Sequence, residues 1–285
     1  MNALAHPAQL NSGPSLARTA SLAMYDLDGL QATNDALWAA IAAALEDRGV
    51  VGAPQTLLRG APLDTVWTDP DLLLGQTCGY PLGALLNAHG VRLIATPRYR
   101  APGCEGPYHR SAVVVRTGSE ARTLADLFGL RGAVNDHGSN SGMNLLRFEL
   151  APLSRDGRFF SAVVVTGSHQ ASAEQVAAGE ADVAALDCIT WAHLQRLRPA
   201  LTQRLRMLSW TVRSPGLPLI TGRDTDVETR GKIRSALEAV AHDPALRDVR
   251  AALMLDGFSD LPVSHYRVLA HFEQTAIYRG YPALA

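Results

Sequence analysis

Two α/β lobes joined by two crossings and facing each other across a cleft are predicted by three features of the chain. Short apolar runs alternate with amphipathic stretches from Thr19 onward. Three prolines and two glycines break this rhythm between Thr96 and Pro107, and a second irregular stretch, Ser214-Pro215-Gly216-Leu217-Pro218, precedes a mostly helical tail. Strand–helix alternation implies mostly parallel sheets covered by helices, so each lobe should own a sheet. The boundaries expected are a flexible segment over 1–18, a first lobe over 19–107 and 213–285, and a second lobe over 108–212.

The elements follow in order. Ala20 to Met24 reads as a strand, and Asn34 to Leu45 as a helix whose Leu37, Ile41 and Leu45 share one face before Gly49 ends it. Asp71 to Leu74, Pro81 to Ala88 and Val91 to Ala95 repeat strand, helix, strand. After the break, Ser111 to Val115 resumes as a strand. The second lobe then reads as helix Leu124–Phe128, strand Ala133–Val134, helix Met143–Leu150, strand Ala162–Val165, helix Ala171–Ala178, strand Asp182–Leu186, helix Thr190–Leu197 and strand Leu205–Val212. The tail reads as helices over Val227–Ala241, Ala245–Leu255 and Ser264–Tyr278, packed back on the first lobe.

Composition excludes several classes. Hydrophobic residues make 47% and charged residues 19% of 285, which is globular and not disordered. Lys plus Arg is 26 against 27 for Asp plus Glu, so there is no basic excess to displace counterions from nucleic acid. No apolar run approaches the ~20 residues that span a bilayer, which excludes an integral membrane protein. The first 18 residues lack the basic and continuous apolar pattern of a secretory signal. The chain is therefore expected in the periplasm if a signal lies upstream, and in the cytoplasm otherwise. Cys78, Cys104 and Cys188 are odd in number and lack CxxC spacing, which argues against a disulfide framework or structural zinc, although one Cys78–Cys104 bridge stays open. No metal, cofactor or catalytic residue is expected, and the protein is expected to be a monomer.

Ligands in α/β sheets bind beyond the carboxyl ends of the strands. There the strongest signal is Asn135-Asp136-His137-Gly138-Ser139-Asn140-Ser141-Gly142, between a strand and a helix. Small polar residues at a helix start expose backbone N–H groups beside hydroxyls and an amide, which suits an oxyanion, while Ser139 or Ser141 could equally cap the helix. Val165-Thr166-Gly167-Ser168-His169 offers a second such start, with His169 either facing the ligand or exposed on the first turn. Asp187 at a strand end could accept a proton from a ligand oxygen, pair with an ammonium, or cap the next helix. Tyr25 and Gln76, Thr77 and Tyr80 would form the opposite wall. Arg147 reads as a surface group, and the four tryptophans as packing.

Taken together, Asp136 to Gly142, Val165 to His169, Gly179 to Ala185 with Asp187, and Arg213 to Pro218 resemble, in order and spacing over roughly Leu124 to Thr221, the PhnD-like family of phosphonate, phosphite and phosphate binding proteins of ABC importers. The first lobe matches more loosely. The resemblance implies a type II periplasmic-binding-protein fold that closes on its ligand by a hinge. It implies that Ser139, Asn140, Ser141 and His169 hold the oxyanion, with Asn140 where a hydroxyl residue is usual, and Ser168 of the second helix start is a further candidate beside them. Asp187 would meet the ligand's other end or its protonated oxygen, Tyr25, Gln76, Thr77 and Tyr80 would contribute from the first lobe, and an ABC permease would be the partner. Two alternatives are a cytoplasmic enzyme of cofactor biosynthesis on the same fold, with His169, Asp187 or Cys188 in catalytic roles, and a cytoplasmic ligand sensor.

Overall fold

The computed structural model describes residues 18–285, so residues 1–17 of the expected flexible segment lie outside it. The first sheet has five strands in the order β1, β2, β12, β3, β13: Thr19–Ser21, Leu72–Gln76, Leu219–Thr221, Arg92–Tyr99 and Leu255–Ser259. β1 and β2 are parallel, whereas β12 is inserted antiparallel between β2 and β3, and β13 adds antiparallel on the β3 edge. The sheet is thus mixed, not mostly parallel. β12 and β13 sit in what reads as irregular or helical sequence: Leu255, expected to end a helix, begins β13, and only Arg247–Ala252 before it is α-helical. The predicted strand Ala20–Met24 is also shorter, because the chain turns into a 3-10 helix at Ala23–Tyr25.

The helix Gln31–Glu46 forms as its spacing requires, burying Leu37, Trp38, Ile41 and Leu45 against Leu73, Leu74 and Ile94 of the sheet and against Ile233 and Leu237 of the helix Val227–His242. Gly49 follows it with φ +72°, a left-handed turn that a side chain would strain.

The second sheet runs β10, β6, β9, β7, β8: Leu205–Trp210, Ser111–Arg116, Val183–Asp187, Arg131–Val134 and Ala162–Val165. β7, β8 and β9 are parallel, and β6 is antiparallel to β9 with Ser111 opposite Asp187. Its central strands are buried on both faces, which explains runs such as Val113-Val114-Val115 and Val183-Ala184-Ala185. A small antiparallel sheet of β4 (Cys104–Glu105), β5 (Tyr108–His109) and β11 (Ser214–Pro215) ties the two crossings together. The predicted break therefore holds β4 and the end of β3, and β5 follows it directly.

The tail packs Val227–His242 on the first sheet, while its last helix reaches both sheets. The helix Val263–Tyr278 rests on Gly79–Ala84 beside the first sheet and on Leu145–Leu150 beside the second. Beyond it, Tyr281 and Leu284 enter the second lobe's core, and the Ala285 carbonyl accepts from the N–H groups of Phe159 and Phe160. Arg147, read as a surface group, is buried beneath this tail: it donates to the Pro282 carbonyl at 2.8 Å and to Asn144 Oδ1 at 3.0 Å, with Glu273 3.6 Å away. The cause is the tail itself, whose docking the local sequence pattern does not reveal.

Candidate functional site

Parallel pairing of β7, β8 and β9 places their carboxyl ends on one edge of the second sheet. Asn135 to Ser141, Thr166 to His169, and Asp187 therefore adjoin. Ser139 caps the helical turn Asn140–Asn144, accepting from the Gly142 N–H at 3.1 Å, and the helix continues as Leu145–Leu150. Ser168 caps His169–Ala178, accepting from Ala171 N–H at 3.0 Å. The two starts meet where Ser141 Oγ and His169 Nε2 stand 3.0 Å apart. Gly142 permits this: a Cβ there would lie 1.8 Å from Asn135 Oδ1 and 3.1 Å from the His169 ring.

Because β6 runs antiparallel to β9, its beginning lies on the same edge. That brings in Ser111, which the sequence offered only as the start of a strand, and His109 of β5 just before it, which the sequence reading passed over. His109 is buried, its Nδ1 3.3 Å from Asp187 Oδ2 without the alignment of a hydrogen bond, and neither ring nitrogen has a partner. Ser111 Oγ, Asn135 Oδ1 and His169 Nδ1 are likewise buried and unpartnered. Buried polar groups are normally satisfied, so several such groups at one edge leave donors and acceptors that a polar ligand can meet. Burial pushes the pKa values of His109 and His169 down, with the Asp187 carboxylate opposing the shift. Both imidazoles are thus neutral near pH 7.

The first sheet supplies the opposite wall. Asn34 Nδ2 holds the Tyr25 carbonyl at 3.3 Å and Asp26 Oδ1 at 2.8 Å, fixing the turn that carries Tyr25. From there Tyr25 Oη donates to Asp187 Oδ2 at 3.1 Å, and burial together with Asp187 raises the phenol well above its ordinary pKa. Gln76 Nε2 donates to Tyr99 Oη and to the Leu217 carbonyl, both at 3.3 Å. Behind Tyr25, Gln76 and Tyr99 lies a largely apolar cavity of about 30 Å³, which His193 also lines. Asn140 bridges the crossing, donating to Ser214 Oγ at 3.0 Å, while its N–H reaches Cys78 Sγ at 3.4 Å.

Several expected residues have other duties in this conformation. The hydroxyls of Ser139 and Ser168 are engaged in capping, and Ser168 is exposed. Of the readings the sequence left open for Asp187, the cap is seen: Oδ1 caps Cys188–Leu197 through the N–H groups of Ile189 (2.9 Å) and Thr190 (3.1 Å), while Oδ2 faces Tyr25 and His109. Thr77 is buried, with its hydroxyl on the Cys78 carbonyl at 3.2 Å. Tyr80 lies apart, its hydroxyl turned to Glu273 and Arg147. Ser141, His169, Asp187, Tyr25 and Asn140 form the assembled group, with His109, Ser111 and Asn135 added.

The cysteines do not pair as the open possibility had it. Cys78 is beside Asn140, whereas Cys104 Sγ is 3.5 Å from Cys188 Sγ, and all three are unbridged. His109, Asp187 and Cys188 offer ligand atoms within 4.8 Å of one another, so a metal could find an imidazole, a carboxylate and a thiol here. The catalytic alternative fares poorly. Cys188 is fully buried, and its thiol is pushed up by burial and the Cys104 sulfur, the reverse of an activated nucleophile.

Comparison with known proteins agrees with the architecture. No curated protein matches the sequence. Among solved structures, a binding-protein component of an ABC phosphonate transporter from Pseudomonas aeruginosa is similar over 92% of this chain and 88% of its own, with TM-score 0.73 and 17% identity. PhnD1 from Prochlorococcus marinus in complex with methylphosphonate is similar over 90% and 96%, with TM-score 0.72 and 15% identity. XAC2383 from Xanthomonas citri, bound to chloride ion, is similar over 92% and 98%, with TM-score 0.68 and 17% identity. These likenesses establish the two-lobe fold. The model of the family described as "ABC transporter, phosphonate, periplasmic substrate-binding protein" matches residues 72–266, more than half the chain and both walls of the cleft. The chain belongs to that family of ABC-importer solute-binding proteins.

Proposed function

We propose that this protein captures a small oxyanion of the phosphonate, phosphite or phosphate class between its lobes, and that Ser141, Asn140, His169, His109, Asp187 and Tyr25 hold it. The observation that carries the reading is the 3.0 Å approach of Ser141 Oγ to His169 Nε2, which unites two helix starts beside buried, unpartnered imidazole and amide atoms. Helix N-termini and neutral donors can solvate an anion without a balancing cation. The nearby Arg147 is already compensated by Glu273, so it does not serve as that cation. Asp187 requires a proton on the ligand side facing it, which selects a monoprotonated oxyanion or one carrying an ammonium. A fully ionised, aprotic anion would be repelled.

A ligand that bonds to both lobes favours the closed state by that differential affinity, adding to the Tyr25–Asp187 bond that already spans the cleft. The setting proposed is outside the inner membrane, with delivery to an ABC permease. No helix among the described residues is long and apolar enough to cross a membrane. The test is titration calorimetry of methylphosphonate, phosphite, phosphate and sulfate against the wild type and Ser141→Ala. One of the first three should bind, and the variant should lose about 10- to 150-fold, the worth of one charge-assisted bond. Negligible heat from all four with the wild type would discard the proposal.

A further inference from the structure

Two of the three cysteines form a cluster that oxyanion capture does not need. Cys104 in β4 and Cys188 at the start of the helix Cys188–Leu197 place their sulfurs 3.5 Å apart. The approach is built into the local backbone and does not depend on how far the cleft is closed: Cys188 N–H donates to the Arg110 carbonyl at 3.2 Å, and Arg110 N–H donates to the Gly103 carbonyl at 3.1 Å. Gly103 has φ +97°, and a Cβ there would lie 2.9 Å from both Cys188 Cβ and the Trp210 ring. Only a residue without a side chain lets β4 come this close to Cys188.

Each cysteine also adjoins one of the two facing polar groups at the cleft. Cys104 is the register partner of His109, and Cys188 directly follows Asp187. A bond between the sulfurs would therefore tie the strand bearing the imidazole to the strand end bearing the carboxylate.

We infer that Cys104 and Cys188 join in a disulfide when the protein meets a disulfide-donating oxidant, and that this bond sets the spacing of His109 and Asp187. The Cys104 thiolate attacks a donor R–S–S–R, forming Cys104–S–S–R and releasing one thiolate. Cys188 then loses its proton and attacks Cys104 Sγ, expelling the second. The pair gives up two electrons and two protons, and the donor leaves as two R–SH. Cys104 is the entry point, being half-exposed, whereas Cys188 is fully buried. The sulfurs must close from 3.5 Å to about 2.05 Å, which side-chain rotation at Cys104 can supply.

The test uses the purified full chain with oxidised glutathione as donor, quenched in acid and read by thiol titration, intact mass and peptide mapping under denaturing conditions. Three titratable thiols should fall to one, the mass should drop by two hydrogens, and the map should join Cys104 to Cys188. Cys78→Ser should retain no free thiol, while Cys104→Ser and Cys188→Ser should form no internal bridge. Three persistent thiols, a glutathione adduct that never resolves, a bridge to Cys78, or a zinc ion retained in native mass spectrometry that shields both sulfurs would overturn the bond. Oxidised and reduced protein should differ at least about threefold in methylphosphonate affinity, a difference absent in Cys104→Ser. Equal affinities would overturn the positioning role alone. The thiol readout needs no oxyanion, so a protein that oxidises as described yet binds none of the anions sinks the binding proposal and leaves this one standing.

Discussion

Tyr25 Oη donates its hydrogen to Asp187 Oδ2 at 3.1 Å, joining residues 162 positions apart in sequence and on opposite sides of the cleft. Tyr25→Phe removes that bond but keeps the ring that packs edge-on against Tyr99 at 5.3 Å between centroids. The variant should leave the resting population more open, detectable as a larger radius of gyration in small-angle scattering without ligand. Its affinity for the cognate oxyanion should fall about 3- to 15-fold, the value of one buried hydrogen bond.

Asp187 separates cap from charge. Asparagine also caps well, so Asp187→Asn should keep thermal stability within about 1 kcal/mol of wild type. Asp187→Ala forfeits the cap and strands the Tyr25 hydroxyl, and should cost about 2–4 kcal/mol in denaturant unfolding. Both variants should lose preference for protonated over fully ionised ligands, seen as a flatter affinity profile between pH 6 and pH 8.

Gly142→Ala forces a methyl group onto Asn135 Oδ1 and against the His169 ring. Overpacking of this kind costs about 1–3 kcal/mol, within reach of a folded protein. Far-ultraviolet circular dichroism should stay native, while oxyanion affinity drops at least about tenfold because the Ser141–His169 contact is pushed apart.

Acid should weaken the fold through its buried histidines. Burial lowers His193 to about 4 and also lowers His109 and His169. Below the unfolded value of about 6.5 the unfolded chain takes up protons that the native one refuses. Stability is therefore fully present above about pH 6.5 and declines as pH falls toward 4. The melting temperature should track that window, and His193→Leu, which suits the apolar cavity its ring lines, should reduce the slope.

The sequence reveals this architecture wherever a local pattern determines it. Leu37, Ile41 and Leu45 announce their helix, and the strand-to-helix turns at Ser139 and Ser168 announce the two capped helix starts that meet at Ser141 and His169. What stays hidden is non-local. β12 and β13 become strands by pairing with β3, and nothing in Leu219-Ile220-Thr221 says that it will slot between distant strands. Ser111, and His109 just ahead of it in β5, come beside Asp187 only because β6 runs against β9, a direction that hydrophobic alternation does not encode. Arg147 looks solvated until the carboxyl-terminal tail covers it.

The helix Val263–Tyr278 touches both lobes through Tyr266, Leu269 and Phe272, with Asn144 Nδ2 fastened to the Leu269 carbonyl at 3.0 Å. Parting the molecule along this margin would wet those apolar faces, and the margin at Tyr25 likewise packs Met24, Tyr25 and Leu27 against Ile189 and Ala192 beside the Tyr25–Asp187 bond. Both margins of the cleft are therefore sealed by carbon as well as by polar bonds, so that opening on either side exposes apolar surface to water.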